Sequence, residues 1–261
     1  MYFYFLRCDP LYYCCGITDK GVRQNNEDAC LINKTVLDKA DKAQMESDIR
    51  PPFIAAVADG VGGEAAGEVA SRLALEMLGS VKFGRRVSLR SKVMNIHGKL
   101  RRFGMTHAEA VNMQTTLCAL AVDEDGRAYA VNVGDSRLYR FREGAICQIS
   151  TDQSLVQLLY EQGKITREEQ RTHAERNVIF PVLGNIADDP DPVVTEIEGG
   201  IRSGDLIIIC TDGLSDYITR GQFEEILSLP MRLPRRLRML VDAAIENGSP
   251  DNITAVGVSI R

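Results

Sequence analysis

Apolar and polar residues fall in blocks along this chain, and the period within the blocks changes several times. Tyr12-Tyr13-Cys14-Cys15-Gly16-Ile17-Thr18 and Ala29 to Ile32 are short apolar runs, separated by the Lys20-Gly21 turn and the polar Val22-Arg23-Gln24-Asn25-Asn26-Glu27-Asp28. Both read as strands. The charged stretch from Lys34 to Pro52 closes on Pro51-Pro52 and reads as a surface loop. Phe53 to Ala58 is unbroken apolar sequence that stops on Asp59, with glycines at 60, 62 and 63. That is the pattern of a buried strand ending abruptly where backbone can bend tightly around a ligand. Helical spacing follows. Val69, Leu73 and Met77 mark a helix from about Gly67 to Leu78, and Val93, Ile96, Leu100 and Phe103 mark a second from Leu89 to Phe103.

Strand patterning returns at Thr115 to Val122, Arg127 to Val133, Arg137 to Phe141 and Ala145 to Ile149. Asp125-Gly126, Gly134-Asp135-Ser136 and Glu143-Gly144 sit between these runs, so the pattern predicts an antiparallel meander of hairpins. A helix from Ser154 to Gln162, a charged mixed segment from Lys164 to Asn177, and strands at Val193 to Ile197 and Asp205 to Cys210 come next. Two helices, about Gln222 to Leu227 and Pro234 to Asn247, precede the final strand, Ile253 to Ile260. No repeat or linker interrupts the chain. Strands grouped at start, middle and end, with helices in pairs between them, predict one α+β domain over residues 1–261.

Composition narrows the function. A net charge of −5 over 261 residues does not suit a nucleic-acid partner. The seven cysteines are odd in number and include no C-x-x-C pair, which excludes a zinc knuckle and a disulfide framework and fits a cytoplasmic setting. The three histidines, 97, 107 and 173, each lie in polar sequence and read as exposed. No stretch approaches the roughly 20 apolar residues that span a bilayer. The aromatic start, Met1 to Leu6, reads as an edge strand, with a docking tail as the alternative.

The chemistry lies in the carboxylates. Leu206 to Thr211 leads into Asp212-Gly213, repeating the strand-then-Asp-Gly junction at Asp59, and Asp251 stands just before the last strand. Each has an ordinary explanation as a turn or cap residue. If these were adjacent strand ends of one sheet, Asp59, Asp212 and Asp251 would converge, and bare carboxylates at such distances call for a cation. Oxygen ligands without His or Cys favour Mg²⁺ or Mn²⁺. A rival reading takes Gly60-Val61-Gly62-Gly63-Glu64-Ala65 as a dinucleotide fingerprint, but the helix it opens is followed by another helix instead of the second strand of a βαβ unit, and Asp59 would oppose a pyrophosphate.

The order of these segments resembles the metal-dependent protein serine/threonine phosphatases of type 2C (the PPM family), bacterial type, over nearly the whole chain. The resemblance rests on Gly21 to Ala29, Asp59-Gly60-Val61-Gly62-Gly63, Thr115-Thr116, Val131-Asn132-Val133-Gly134-Asp135-Ser136-Arg137 and Thr151-Asp152-Gln153-Ser154-Leu155. Val182-Leu183-Gly184, Asp212-Gly213-Leu214-Ser215-Asp216 and Asp251-Asn252-Ile253-Thr254 complete it. It implies a four-layer αββα sandwich and hydrolysis of phosphoserine and phosphothreonine by a hydroxide bridging two Mn²⁺ or Mg²⁺ ions, with no phosphoenzyme. It further implies that Asp59 and the Gly60 carbonyl are metal ligands with Asp59 bridging, that Asp212 and Asp251 hold one ion, and that Glu27 and Asp28 reach the other ion or its waters. Asp135 would support a third, weaker ion. Arg23 would clamp the phosphate, Asn252 would orient Asp251 or a water, and Asp216 would brace the Asp212 turn or else assist a third metal. A flap at about 162–182 would choose among phosphoprotein substrates of a cognate kinase, the protein acting as a monomer. Val61, Gln153 and Pro181 depart from the family pattern, the first two where an imidazole is familiar. The non-catalytic alternative is a phosphoprotein-binding module with a degraded site.

Overall fold

The computed structural model describes residues 10–38, 41–61, 65–82 and 88–261. The first half holds β1 (Tyr12–Asp19), β2 (Asp28–Ile32), β3 (Thr35–Leu37), β4 (Lys42–Ile49), β5 (Phe53–Val61), α1 (Ala65–Gly79) and α2 (Leu89–Thr106). Next come β6 (Gln114–Thr115), β7 (Leu117–Val122), β8 (Ala128–Val133), β9 (Arg137–Arg142), β10 (Ala145–Gln148), α3 (Leu155–Glu161) and α4 (Arg167–Thr172). The chain closes with β11 (Val193–Glu196), β12 (Leu206–Cys210), α5 (Asp212–Ser215), α6 (Arg220–Ser228), α7 (Leu233–Glu246) and β13 (Ile253–Ile260). The strands pair antiparallel into two sheets, β10-β9-β12-β13-β1-β4 and β11-β8-β7-β5-β2-β3, with β6 paired to the end of β5.

Strand alternation decides what each face packs against. On β5, Ile54, Ala56 and Ala58 pack with Ala70, Ala74 and Leu75 of α1 and Val93 and Leu100 of α2. The opposite parity, Phe53, Ala55 and Val57, packs with Cys14, Ile207, Ile209 and Val258 of the other sheet. Beyond that sheet, Ile208, Cys210 and Ala255 meet Phe223 of α6 and Leu237, Leu240 and Val241 of α7. Three apolar interfaces therefore separate four layers, in the order αββα. Capping boxes at Thr166/Glu169 and Thr219/Gln222 start α4 and α6.

Several expectations fail. Lys34 to Pro52 is not a loop. β4 pairs with β1 along its full length, Lys42 opposite Asp19 and Ile49 opposite Tyr12, and it alternates exposed with half-buried residues as an edge strand does. Its half-buried positions are Ala43, Met45, Ser47 and Ile49, too weakly apolar to announce a strand. The meander breaks at Gly134-Asp135-Ser136, because β8 pairs with β7 in one sheet and β9 with β10 and β12 in the other. This segment is a crossover between sheets. Gly134 makes it with φ +100°, a conformation side chains resist. Lys164 to Asn177 holds the short helix α4, and the stretch around Pro181 is extended, with bridges from Ser154 to Ile179 and from Thr115 to Leu183. His97 is buried, not exposed; its Nδ1 accepts from the Gly184 N–H at 3.2 Å and its Nε2 faces Asp189 at 3.2 Å. The aromatic start and Gly62-Gly63-Glu64 lie outside the described residues.

Candidate active site

β5 does not end on Asp59. It continues through Gly60 and Val61, which pair with Thr115 and Gln114. Asp59 has the parity of Val57 and is the Cα partner of Asp28 on β2. Asp28 in turn has the parity of Cys30 and Ile32, which face the inter-sheet core. Both carboxylates thus belong to the mouth of the space between the sheets. On the facing sheet, Asp212 follows β12 and opens α5, and Asp251 stands two residues before β13. The convergence expected of adjacent strand ends in one sheet is therefore corrected. Asp59 and Asp28 come from one sheet, Asp212 and Asp251 from the other, and Asp135 from the crossover between them.

Hydroxyls line the transition from apolar core to acidic mouth. Thr211 Oγ1 donates to Asp28 at 2.8 Å and accepts from the Thr254 N–H at 3.1 Å. Thr18 and Thr254 hydroxyls meet at 2.7 Å, and Asn26 donates to Thr18 at 2.8 Å. Across the cluster, the Asp59 N–H donates to Thr116 Oγ1 at 3.0 Å, while Thr115 Oγ1 and the Thr116 N–H donate to the Asp59 carbonyl, each at 2.9 Å. Thr115-Thr116 belongs to a motif in the sequence, whereas Thr211 and Thr254 carry no role there; Thr211 immediately after β12 and before Asp212, and Thr254 as the second residue of β13 shortly after Asp251, are the signal that points to them. Asn252 stitches the first loop to β13. Its side-chain oxygen accepts from Glu27 N–H at 2.8 Å, and its amide donates to the Lys20 and Asn25 carbonyls, both at 2.9 Å. Behind Glu27, its carbonyl accepts from Ser71 Oγ at 2.6 Å and from Gly60 N–H at 3.2 Å. A methyl at Gly67 would stand 2.8 Å from Glu27 Oε2, so α1 meets this carboxylate with bare backbone.

The five aspartates share one field. Burial raises the Asp59 carboxyl well above its ordinary range, and Asp28, Asp212, Asp135 and Asp251 push it further. Burial likewise raises Asp28, against the hydrogen bonds from Thr211 and Thr254. Asp135 is raised by burial and by Asp212 and Asp152. Asp212 is raised by burial, Asp216 and Asp251, opposed by a hydrogen bond with Asp59 and by Arg137. Like charges held this close favour protons or cations over bare ionisation. Among the described residues no three acids are drawn into a finished ligand set. One observation speaks for an ion all the same: Asp212 Oδ1 is buried with no hydrogen-bond partner, an acceptor in need of a positive charge. Arg23 lies at the rim, its Nη2 on Asp251 Oδ2 at 2.8 Å and its Nε on the Pro250 carbonyl at 3.0 Å. Asp216 does more than brace the turn through its N–H to the Asp212 carbonyl at 2.9 Å, since it also pairs with Arg137 at 2.8 Å.

Comparison with known proteins decides the family. The sequence pattern of protein phosphatase 2C matches residues 25–242. The chain belongs to the protein phosphatase 2C family. It is 32% identical over 247 residues to the serine/threonine protein phosphatase PstP of Mycobacterium tuberculosis, an alignment covering 92% of this chain and 43% of PstP. The chain thus spans less than half the length of that relative. It is 28% identical over 249 residues to the serine/threonine phosphatase stp of Listeria innocua, covering 92% of each. The crystal structure of the PstP catalytic domain in complex with two manganese ions matches with a TM-score of 0.75 at 30% identity, over 96% of this chain and 99% of that one. Protein phosphatase 2C members are metal-dependent, and the all-oxygen donor set of this site, with its orphaned Asp212 oxygen, fits a hard divalent cation.

Proposed function

We propose that this chain is a protein serine/threonine phosphatase acting through divalent metal ions, Mn²⁺ or Mg²⁺, at the mouth between its sheets. The observation that carries the reading is the meeting at one mouth of Asp28 and Asp59, paired strand residues of one sheet, with Asp212 of the other, whose buried Oδ1 has no hydrogen-bond partner. In this proposal Asp59, the Gly60 carbonyl, Asp212 and Asp251 would hold the ions, Glu27 and Asp28 would reach one of them or its waters, and Asp135 would serve a third, weaker ion. Bound there, the ions supply Lewis acidity toward phosphoryl oxygens and lower the pKa of water.

The chain's own residues do the rest. Thr211 and Thr254 hydroxyls hold the Asp28 carboxylate still, so that it takes a proton from an attacking water in a set direction. Asn252 locks Glu27 to the first loop. Arg23, pinned at the rim beside Asp251, meets the incoming phosphate with a planar, permanent charge. Val61 is exposed at the end of β5, and Gln153 is engaged with the Gly134 N–H at 2.9 Å and the Asp191 carbonyl at 2.6 Å. Neither donates a proton to the leaving oxygen, which therefore takes it from water. The substrates would be phosphoproteins, in the first place those of a cognate kinase, met by a monomeric, one-domain enzyme. The buried free thiols Cys14, Cys15, Cys30, Cys118 and Cys210 suit a cytoplasmic setting, and among the described residues no helix is long and apolar enough to cross a membrane.

The test is direct. The purified chain should hydrolyse an aryl phosphate and a phosphothreonine peptide with Mn²⁺, and stop in EDTA. Asp212→Asn should lose more than the 10–100-fold typical of residues that only support a ligand. An Asp212→Asn protein with wild-type rates would sink the assignment, and a folded wild type that binds phosphopeptide without turnover would favour the binding module.

A further inference from the structure

Arg137 opens β9 opposite Cys210, the last residue of β12. Asp135 lies two residues before this pair and Asp212 two residues after it, so both acids leave the ladder at the same end. Arg137 is itself half-buried and fully engaged. Its Nε and Nη2 grip Asp152 Oδ2 at 2.8 and 2.7 Å, and its Nη1 holds Asp216 Oδ1 at 2.8 Å. The other Asp152 oxygen accepts from Gln148 Nε2 at 2.8 Å. Asp216 N–H closes the α5 turn onto the Asp212 carbonyl at 2.9 Å. Three segments that share no continuous backbone therefore meet on one guanidinium. They are the crossover carrying Asp135, the loop before α3 carrying Asp152, and the turn carrying Asp212 and Asp216. Left without it, Asp135, Asp152, Asp212 and Asp216 would repel one another, and the turn and the crossover would spread.

We propose that Arg137 is a positioning residue of the metal centre: by gripping Asp152 and Asp216 together it keeps the Asp135 and Asp212 carboxylates in register to take up divalent cation. The role rests on the reading of the acidic mouth as a metal site, and it does not require Arg137 to touch substrate. Lysine replaces it only in part, because one ammonium supplies the charge but does not span two carboxylates in a fixed fork.

The experiment is calorimetric titration of Mn²⁺ into the metal-stripped full chain. Arg137→Gln should bind Mn²⁺ 10–100-fold more weakly, the usual loss for a residue supporting a ligand from behind. Arg137→Lys should recover part of that loss, and activity of Arg137→Gln should climb toward wild type at saturating Mn²⁺. Arg142→Gln, which breaks an ion pair of the same strand with Asp205, should lower the melting temperature yet leave Mn²⁺ affinity within about two-fold, being outside the shell that orients ligands. A folded Arg137→Gln with wild-type affinity overturns the proposal. Should that variant not fold, wild-type affinity in Arg137→Lys overturns it and weakened affinity supports it. If the wild-type chain takes up no Mn²⁺ at all, the metal centre itself falls, and the positioning role with it.

Discussion

At the scale of single residues, the site is a problem of satisfying buried polar groups beside uncompensated charge. Asn252 is the clearest case. Buried, it serves one N–H and two carbonyls of the first loop, which has no strand partner to satisfy them. Asn252→Ala should therefore cost about 3 kcal/mol, read as a lower urea midpoint, since it strands several polar groups at about 1–3 kcal/mol each. An unchanged midpoint would mean that water replaces the side chain at no cost. Asp59 and Asp212 were legible in the sequence because each sits where apolar patterning stops, and Asn252 because it follows Asp251 in a motif. The supporting hydroxyls of Thr211 and Thr254 were not, since a threonine at the end of one strand or near the start of another is unremarkable until the facing sheet brings Asp28 to it. Likewise His97 reads as a surface histidine on a helix with many Lys and Arg, and only the Gly184 segment packed over it reveals the burial.

At the scale of elements, turns and strand ends set how closely the acids approach. Gly213 follows Asp212 directly beneath the β13 entry, and a methyl there would run into the Asn252 carbonyl and stand 3.3 Å from the Asp251 Cβ. Gly213→Ala should cost about 1–3 kcal/mol, as overpacking does, and should weaken Mn²⁺ binding by moving Asp212 away from Asp251. Equal melting and metal titration curves for the two proteins would show that the turn yields freely. A second element-scale contact lies at the far end of β12. Arg142 Nε and Nη2 hold Asp205 at 2.6 and 2.7 Å. Burial alone would raise the Asp205 carboxyl, but the hydrogen bonds from Arg142 and the Arg202 N–H outweigh it and hold it below its ordinary value. A depressed folded pKa contributes stability that is present above the unfolded value, about 3.9, and disappears as pH falls through the folded one. The gap in melting temperature between wild type and Asp205→Asn should accordingly be steady from neutral pH to about 5 and close below about 4. A gap that persists in acid would assign the effect to packing.

At the scale of the molecule, the two sheets are apolar where they face each other deeply, and Asp28, Asp59, Asp212 and Asp251 gather at one mouth between them. The helices α1, α2, α6 and α7 cover the outer faces, so the mouth is what the sandwich leaves open. Metal should bind the folded chain and not the unfolded one, because the acids come from both sheets and the crossover. At 100 times its dissociation constant Mn²⁺ adds about 2.7 kcal/mol, which for a chain of this size raises the melting temperature by about 5 °C or more. EDTA should reverse the shift. Equal melting temperatures with and without Mn²⁺ would count against convergence of the acids.

Local patterning in the sequence carries the α+β content of the chain and marks several of its acids. Period-two and helical patterning place nearly every long strand and helix, because burial on one face leaves a local, repeating trace. Asp59, Asp212 and Asp251 stand out for the same reason, as carboxylates at the ends of apolar runs. Which sheet each acid belongs to is set by long-range strand pairing. A strand's partner is chosen by surfaces far away in sequence, so nothing local distinguishes the Gly134 crossover from a hairpin, or the edge strand β4 from a polar loop. The tertiary structure also decided the place of Arg137, whose three-way grip exists only once Asp152 and Asp216 have been brought to it.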